Sequence, residues 1–292
     1  MTASSTRHPP RSRSARSPRS RAEGRAPGRS PRFVAQLAFT VLVCAFLVVP
    51  VVLSVLAGLS QNFFVGVKSG LTLRWVAQVW SLYSGTIFLS LALALECLAA
   101  TLVLGVPIAY VLARRPGRMA RLFEELLVLP VAVPGLATAL ALILLYGEWR
   151  GFRASSLFIL VGHVVFTLPF MVRSVLAVMA AMDLVTLEEA AASLGAGFFK
   201  RFFGVIVPNA RSGILAGALM VVTLSVGEFN ITWMLHTPLT KTIPVGLADA
   251  YASLRLEIGS AYTIVFFVMI VPLLVVMQWL SRERAPVLAG RK

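Results

Sequence analysis

Six long apolar runs separated by short polar or basic segments fill the chain from Val34 onward. A helix needs about 20 apolar residues to cross a bilayer. The runs predict spanning helices over roughly 34–59, 84–113, 122–147, 155–178, 208–235 and 259–280. Lipid offers backbone groups no partners, so each run must satisfy its own amides as a helix. The expected fold is an all-α, polytopic bundle of six transmembrane helices over residues 33–281. Pro130, Pro134 and Pro169 lie inside runs and are expected to kink helices and open cavities between them. Residues 1–32 are Arg, Ser and Pro with almost nothing to bury, which predicts a disordered basic tail. Residues 282–292 form a second short tail.

One polar interruption differs from the other connections. Thr186-Leu187-Glu188-Glu189 fits a capping box that opens a helix, and Ala190, Ala191 and Ala192 continue it at low conformational cost. Gly195 is placed to end it in the left-handed conformation. Phe198, Phe199, Phe202 and Phe203 follow at four-residue pairing with Lys200 and Arg201 between them. Pro208 suits the first turn of the next helix. An amphipathic helix lying on the membrane surface accounts for the Phe-Lys-Arg portion. It does not account for the spacing of Glu, Ala, Gly and Pro.

That spacing carries a resemblance. Glu189-Ala190-Ala191, three residues, Gly195, nine residues and Val205-Ile206-Val207-Pro208 closely resemble the cytoplasmic EAA loop of ABC-transporter permeases. Val205 and Val207 depart mildly from the family's aliphatic residues. The likeness runs from about Thr72 to Trp279 and is closest to type I importers, in the branch of polyamine, phosphonate and ferric-iron permeases. It implies that the loop over 183–208 forms a coupling helix for an ATPase subunit, with Glu188, Glu189, Ala190, Ala191, Gly195 and Pro208 as its residues. It implies as partners an ABC ATPase dimer holding ATP and Mg, a second permease (same or homologous) and an external substrate-binding protein. No cofactor is expected in this chain itself.

Charge sets the orientation. Charged residues make up 13% of the chain against 58% apolar, which places it in the membrane class. The net charge of +15 is therefore read against the membrane and not as a sign of nucleic acid. With the N-terminus inside, only Lys68, Arg74, Arg150, Arg153, Lys241 and Arg255 of the 27 basic residues fall outside. That bias predicts both termini and the Glu189 loop on the cytoplasmic side, and the resemblance implies the plasma membrane of a prokaryote. Trp75, Trp80 and Tyr83 fit an interfacial aromatic belt. The stretch from His236 to Ile258 reads as an outer loop that helps receive a binding protein, or as a plain connector. Cys44 and Cys97 lie in apolar runs and read as packed hydrophobes.

Polar groups inside the spans are the remaining candidates, because charge in a bilayer faces a bundle interior or a water-filled path. Glu228 and Asn230 stand in the fifth run and by resemblance line the substrate path. Glu228 then favours a cation or fixes a gate; alternatively it pairs with Arg or backbone at an interface. Glu228, Asn230 and Thr232 share a face only if the helix breaks, which Gly227 allows. Glu96, in the second run, faces the path, pairs with the second permease or is protonated. His163 is expected to hydrogen-bond between helices, and Glu124 and Glu125 to open the third span. No phosphate-cradling, zinc-protease or nucleophile-elbow motif occurs. ATP must then be used by another subunit. Two rivals remain at this point: a proton-coupled transporter working through Glu96 and Glu228, and a membrane scaffold.

Overall fold

The computed structural model describes residues 31–282, and the tails expected over 1–32 and 282–292 lie outside them except at their inner edges. Residues up to Pro50 form a unit of their own, a stretch of the first helix, α1 (Pro31–Leu59). The second unit, from Val51, holds everything else. Its helices run α2 (Arg74–Arg114), α3 (Arg118–Ala132), α4 (Gly135–Tyr146), α5 (Arg150–Arg153), α6 (Ser156–Ala181) and α7 (Leu184–Ser193). They continue as α8 (Phe198–Arg201), a π turn at Phe202–Ile206, α9 (Val207–Asn209), α10 (Arg211–Val226), α11 (Asn230–Leu235), α12 (Ile243–Ala252) and α13 (Leu256–Arg282).

Among the described residues four helices are long and apolar enough to cross a membrane, and the number rises to six when each of two bent pairs is taken as one span. The expected six-span pattern holds at that level, and the bends are where it changes. The third span is not one helix: α3 and α4 meet at 100° across Val133-Pro134. Pro134 lacks the amide that a continuous helix would use there. The fifth span is bent as well: Pro208 sits in α9, and the stretch Phe198–Asn209 meets α10 at 71°. Within α2 the backbone leaves helical geometry at Tyr83 (φ −129°, ψ 17°), so the expected start at Ser84 marks a kink inside a longer helix. Glu124 and Glu125 do not open α3, which starts at Arg118 and has no acid in its first turn.

The core is the triple contact of α2, α6 and α10. Val106, Ala109, Met171, Val175, Ile206, Ala210 and Val221 fill it. Close approach of α6 and α10 depends on Gly213 and Gly217, a small-xxx-small pair. A Cβ at Gly213 would stand 2.6 Å from the Ser174 carbonyl oxygen, and one at Gly217 2.8 Å from Met171 Sδ. The Ser174 hydroxyl also donates to the Gly213 carbonyl at 2.8 Å. Gly213→Leu is therefore expected to push α10 off α6. The cost should be at least about 1–3 kcal/mol, the usual range for overpacking. The melting temperature in detergent reads it, and an unchanged value would contradict the close approach.

A second cluster joins α2, α12 and α13 through Val79, Ile243, Ala250, Ala261 and Tyr262. The stretch expected as an outer loop thus contains a helix, α12, with Ile243, Val245, Gly246 and Ala250 buried. Its apolar run is short and interrupted by Pro244 and Gly246, which hid the pattern. The Ile243 amide is held by the Ser90 hydroxyl of α2 at 2.8 Å. Trp75 and Tyr83 each have a defined hydrogen-bond partner. The Trp75 ring nitrogen donates to the Ser60 carbonyl at 3.0 Å, and Arg255 donates to the Tyr83 hydroxyl at 3.0 Å.

Candidate functional site

The helix expected at Glu188-Glu189 forms as α7, but it begins earlier. Asp183, not Thr186, is its cap: Oδ1 accepts from the Thr186 amide at 3.3 Å and Oδ2 from the Thr186 hydroxyl at 2.7 Å. The expected Thr186–Glu189 capping box is corrected accordingly, since Thr186 already lies inside the helix and its hydroxyl is spent on Asp183. Both bonds favour the charged carboxylate and hold Asp183 below its ordinary value. A depressed folded value means the contribution is present above the usual carboxylate range and lost as pH falls through the lowered one.

At the other end, Gly195 takes φ +80°. Its amide donates to the Ala192 carbonyl at 2.9 Å and the Ala196 amide to the Ala191 carbonyl at 3.1 Å. These are the two bonds of a Schellman ending, and they need the left-handed residue that glycine supplies.

Closed at both ends, α7 has two faces. Leu184 and Glu188, one turn apart, are its buried residues. The other face shows Val185, Glu189, Ala190 and Ala192, and Leu194 at its end is 88% exposed. Glu189 makes no hydrogen bond or ion pair among the described residues, whereas Glu188 is fully engaged. Tyr110 donates its hydroxyl to Glu188 Oε1, and the Arg114 guanidinium lies 3.0 Å from Oε2. Tyr110 and Arg114 stand one turn apart at the end of α2. Neither Tyr110 nor Arg114 stands among the site residues expected from the sequence. The four-residue pairing of a phenol and a guanidinium at the end of a span was the available signal.

The Phe-Lys-Arg stretch extends this surface. Phe198 stacks on Phe202 at 6.1 Å, with the buried Phe202 turned toward Tyr110 at 5.2 Å. Phe199 and Phe203 remain exposed at 73% and 62%. Pro208 and Gly204 lie in the turns that lead to α10.

The second group of candidates lies where α10 ends. The helix breaks after Val226, and α11 restarts at Asn230. Glu228 is buried in the break and its carboxylate caps α11. Oε1 accepts from the Ile231 amide at 2.8 Å, and Oε2 from the Thr232 amide and hydroxyl, both at 2.9 Å. His163 of α6 bridges the two helices: Nε2 lies 2.8 Å from the Thr232 hydroxyl and Nδ1 2.8 Å from the Ser225 hydroxyl. Because the Thr232 hydroxyl donates to Glu228, it accepts from the His163 Nε2–H, and Nδ1 accepts from Ser225. The four side chains form one satisfied chain across α6, α10 and α11. Glu228 is thus bonded to backbone, but to that of its own chain at the helix break and not across an interface. Asn230 is exposed at the start of α11 and does not join this chain. Glu96 is elsewhere, exposed on the face of α2 that also shows Leu95 and Val103. Structure thus separates Glu96 from Glu228. Cys97, beside it in sequence, is buried and meets the Thr167 hydroxyl at 3.1 Å.

Residues 105–285 match the family described as binding-protein-dependent transport system inner membrane component. This chain belongs to that family, the permeases of ABC importers. Its relatives agree. It is 29% identical over 217 residues to the sulfate transport system permease protein CysW of Synechocystis, covering 69% of this chain and 78% of that one. It is 28% identical over 219 residues to the molybdenum transport system permease protein ModB of Escherichia coli, covering 68% and 95%. It is 28% identical over 210 residues to the putrescine transport system permease protein PotI of Escherichia coli, covering 68% and 74%. The permease is thus a multi-pass membrane protein of the type I importer fold.

Proposed function

We propose that this permease forms the substrate path of an ATP-driven importer and that α7 docks on a separate ATPase subunit. The observation that carries the reading is the two-faced α7. It is capped at both ends, tied inward through Glu188, and presents Val185, Glu189 and Leu194 outward. Apolar side chains standing free beside an unpaired carboxylate suit a protein partner better than water. The basic residues in the loops support an α7 on the cytoplasmic side, with both termini there.

In this mechanism ATP and Mg are held by an ATPase dimer, and closure of that dimer moves α7. A second permease, identical or homologous, completes the path, and an external binding protein delivers the solute. Relatives are named for sulfate, molybdenum and putrescine, ions of either sign. Glu228 is spent on capping α11, so the lean toward a cation loses its support here. Selection by charge falls to the binding protein, and the solute is a small ion of the kinds those relatives and the polyamine, phosphonate and iron branch carry.

Uptake into proteoliposomes holding the permease with its ATPase and binding protein tests this reading. Uptake should require ATP and survive an uncoupler. Uptake that needs no ATP and collapses with the uncoupler would favour the proton-coupled rival.

A further inference from the structure

How α7 is fastened to the spans is a separate question from what it docks on. Of its ten residues only Leu184 and Glu188 are buried. A helix held by one leucine and one carboxylate transmits force only as stiffly as those two contacts allow. Leu184 supplies nondirectional packing. Glu188 supplies direction, because successive residues on a helix point about 100° apart and Glu188 faces inward where Glu189 faces out.

Glu188 has a side chain 5% exposed and meets two groups from α2. Tyr110 donates to Oε1, and Arg114 lies 3.0 Å from Oε2. Arg114 also donates to the Tyr110 hydroxyl at 3.3 Å, which closes the triangle. The Tyr110 ring in turn packs on Phe202 at 5.2 Å and Phe198 at 6.3 Å, in the segment that leads into α10. Three parts of the chain therefore converge on one phenol: α7, the end of α2, and the run from α8 to α10. Glu188 is shielded from water while the Arg114 side chain is 45% exposed, so the bond from the buried Tyr110 is the shielded one. A charge-assisted bond there resists displacement more than an exposed one.

We propose that Glu188, through Tyr110 and Arg114, is the positioning residue that makes α7 and α2 move as one body. It converts ATPase motion into reorientation of the spans. The proposal rests on the docking role of α7 given above and assigns Glu188 a task distinct from docking, since its carboxylate faces away from any partner. Breaking the triangle should leave the ATPase attached but let it turn over without moving solute.

The test uses the whole importer in proteoliposomes, with ATPase co-purification, ATP hydrolysis and solute moved per ATP read separately. Glu188→Ala should keep ATPase association within about twofold of the native complex. Solute per ATP should fall by about tenfold, in keeping with the loss of charged hydrogen bonds. Tyr110→Phe removes one hydroxyl and keeps the ring on Phe202, so it guards against a folding defect. It should lower solute per ATP by about threefold. The exchange of Glu188→Arg with Arg114→Glu should recover part of the loss, which a merely structural defect would not do. Native coupling in both Glu188→Ala and Tyr110→Phe overturns the proposal alone. Loss of ATPase association in those variants also overturns it, by making Glu188 part of docking. A native complex without ATP-driven uptake overturns the parent reading instead.

Discussion

Gly195→Asp is expected to give a permease that inserts normally but loses its ATPase in detergent. No atom lies within 4 Å of a Cβ at Gly195, so crowding is not the cause. The cause is φ +80°, which L side chains adopt at a cost of roughly 1–2 kcal/mol. A new carboxylate would also face the negative end of α7, where anions are disfavoured. Both effects unwind the Ala191 and Ala192 closing bonds and displace Leu194 from the docking face. Association should fall by about tenfold, the equivalent of roughly 1.4 kcal/mol. Gly195→Asn separates the causes, because asparagine tolerates the left-handed region and adds no charge. It should retain most of the binding. Intact co-purification of Gly195→Asp with native ATPase activity would contradict the docking role.

The second large effect is expected at Glu228, and it should be structural. Glu228→Ala leaves the Ile231 and Thr232 amides and the Thr232 hydroxyl without their acceptor. A buried donor left bare costs about 1–3 kcal/mol. The loss also passes to His163, whose Thr232 partner is no longer oriented. A marked drop in melting temperature and loss of uptake should follow. Glu228→Gln keeps one acceptor oxygen and should fall between the two. Any uptake that remains should show native solute preference. A changed preference at native stability would instead put Glu228 in the path, the other reading that its sequence allowed.

Those two predictions mark how far the sequence could be read. Long apolar runs give helices of the right number because bilayer thickness and backbone satisfaction leave few alternatives. Gly195 was legible too, since a glycine after an alanine-rich turn has one common use. The cap was not. Asp183 and Thr186 are both good capping residues three apart, and the burial of Leu184 decides between them. Nor could sequence say which of two adjacent glutamates turns inward, because that depends on Tyr110 and Arg114, more than seventy residues away. The direction taken at Pro134 was equally hidden: proline announces a break, while packing of α4 against α11 and α6 sets its angle. Glu228 reads in the sequence as an acid near a possible break. The meaning changed once α11 began at Asn230, because a carboxylate at that position reaches the free amides of the first turn.

The central claim is that α7 meets an ATPase through its outward face. A photo-crosslinking residue placed at Leu194, which is 88% exposed, tests it most directly. In membranes containing the assembled importer, the account predicts one dominant adduct with the ATPase subunit, at a yield that changes when ATP is added. Adducts with lipid or the external binding protein, and none with the ATPase, would contradict it.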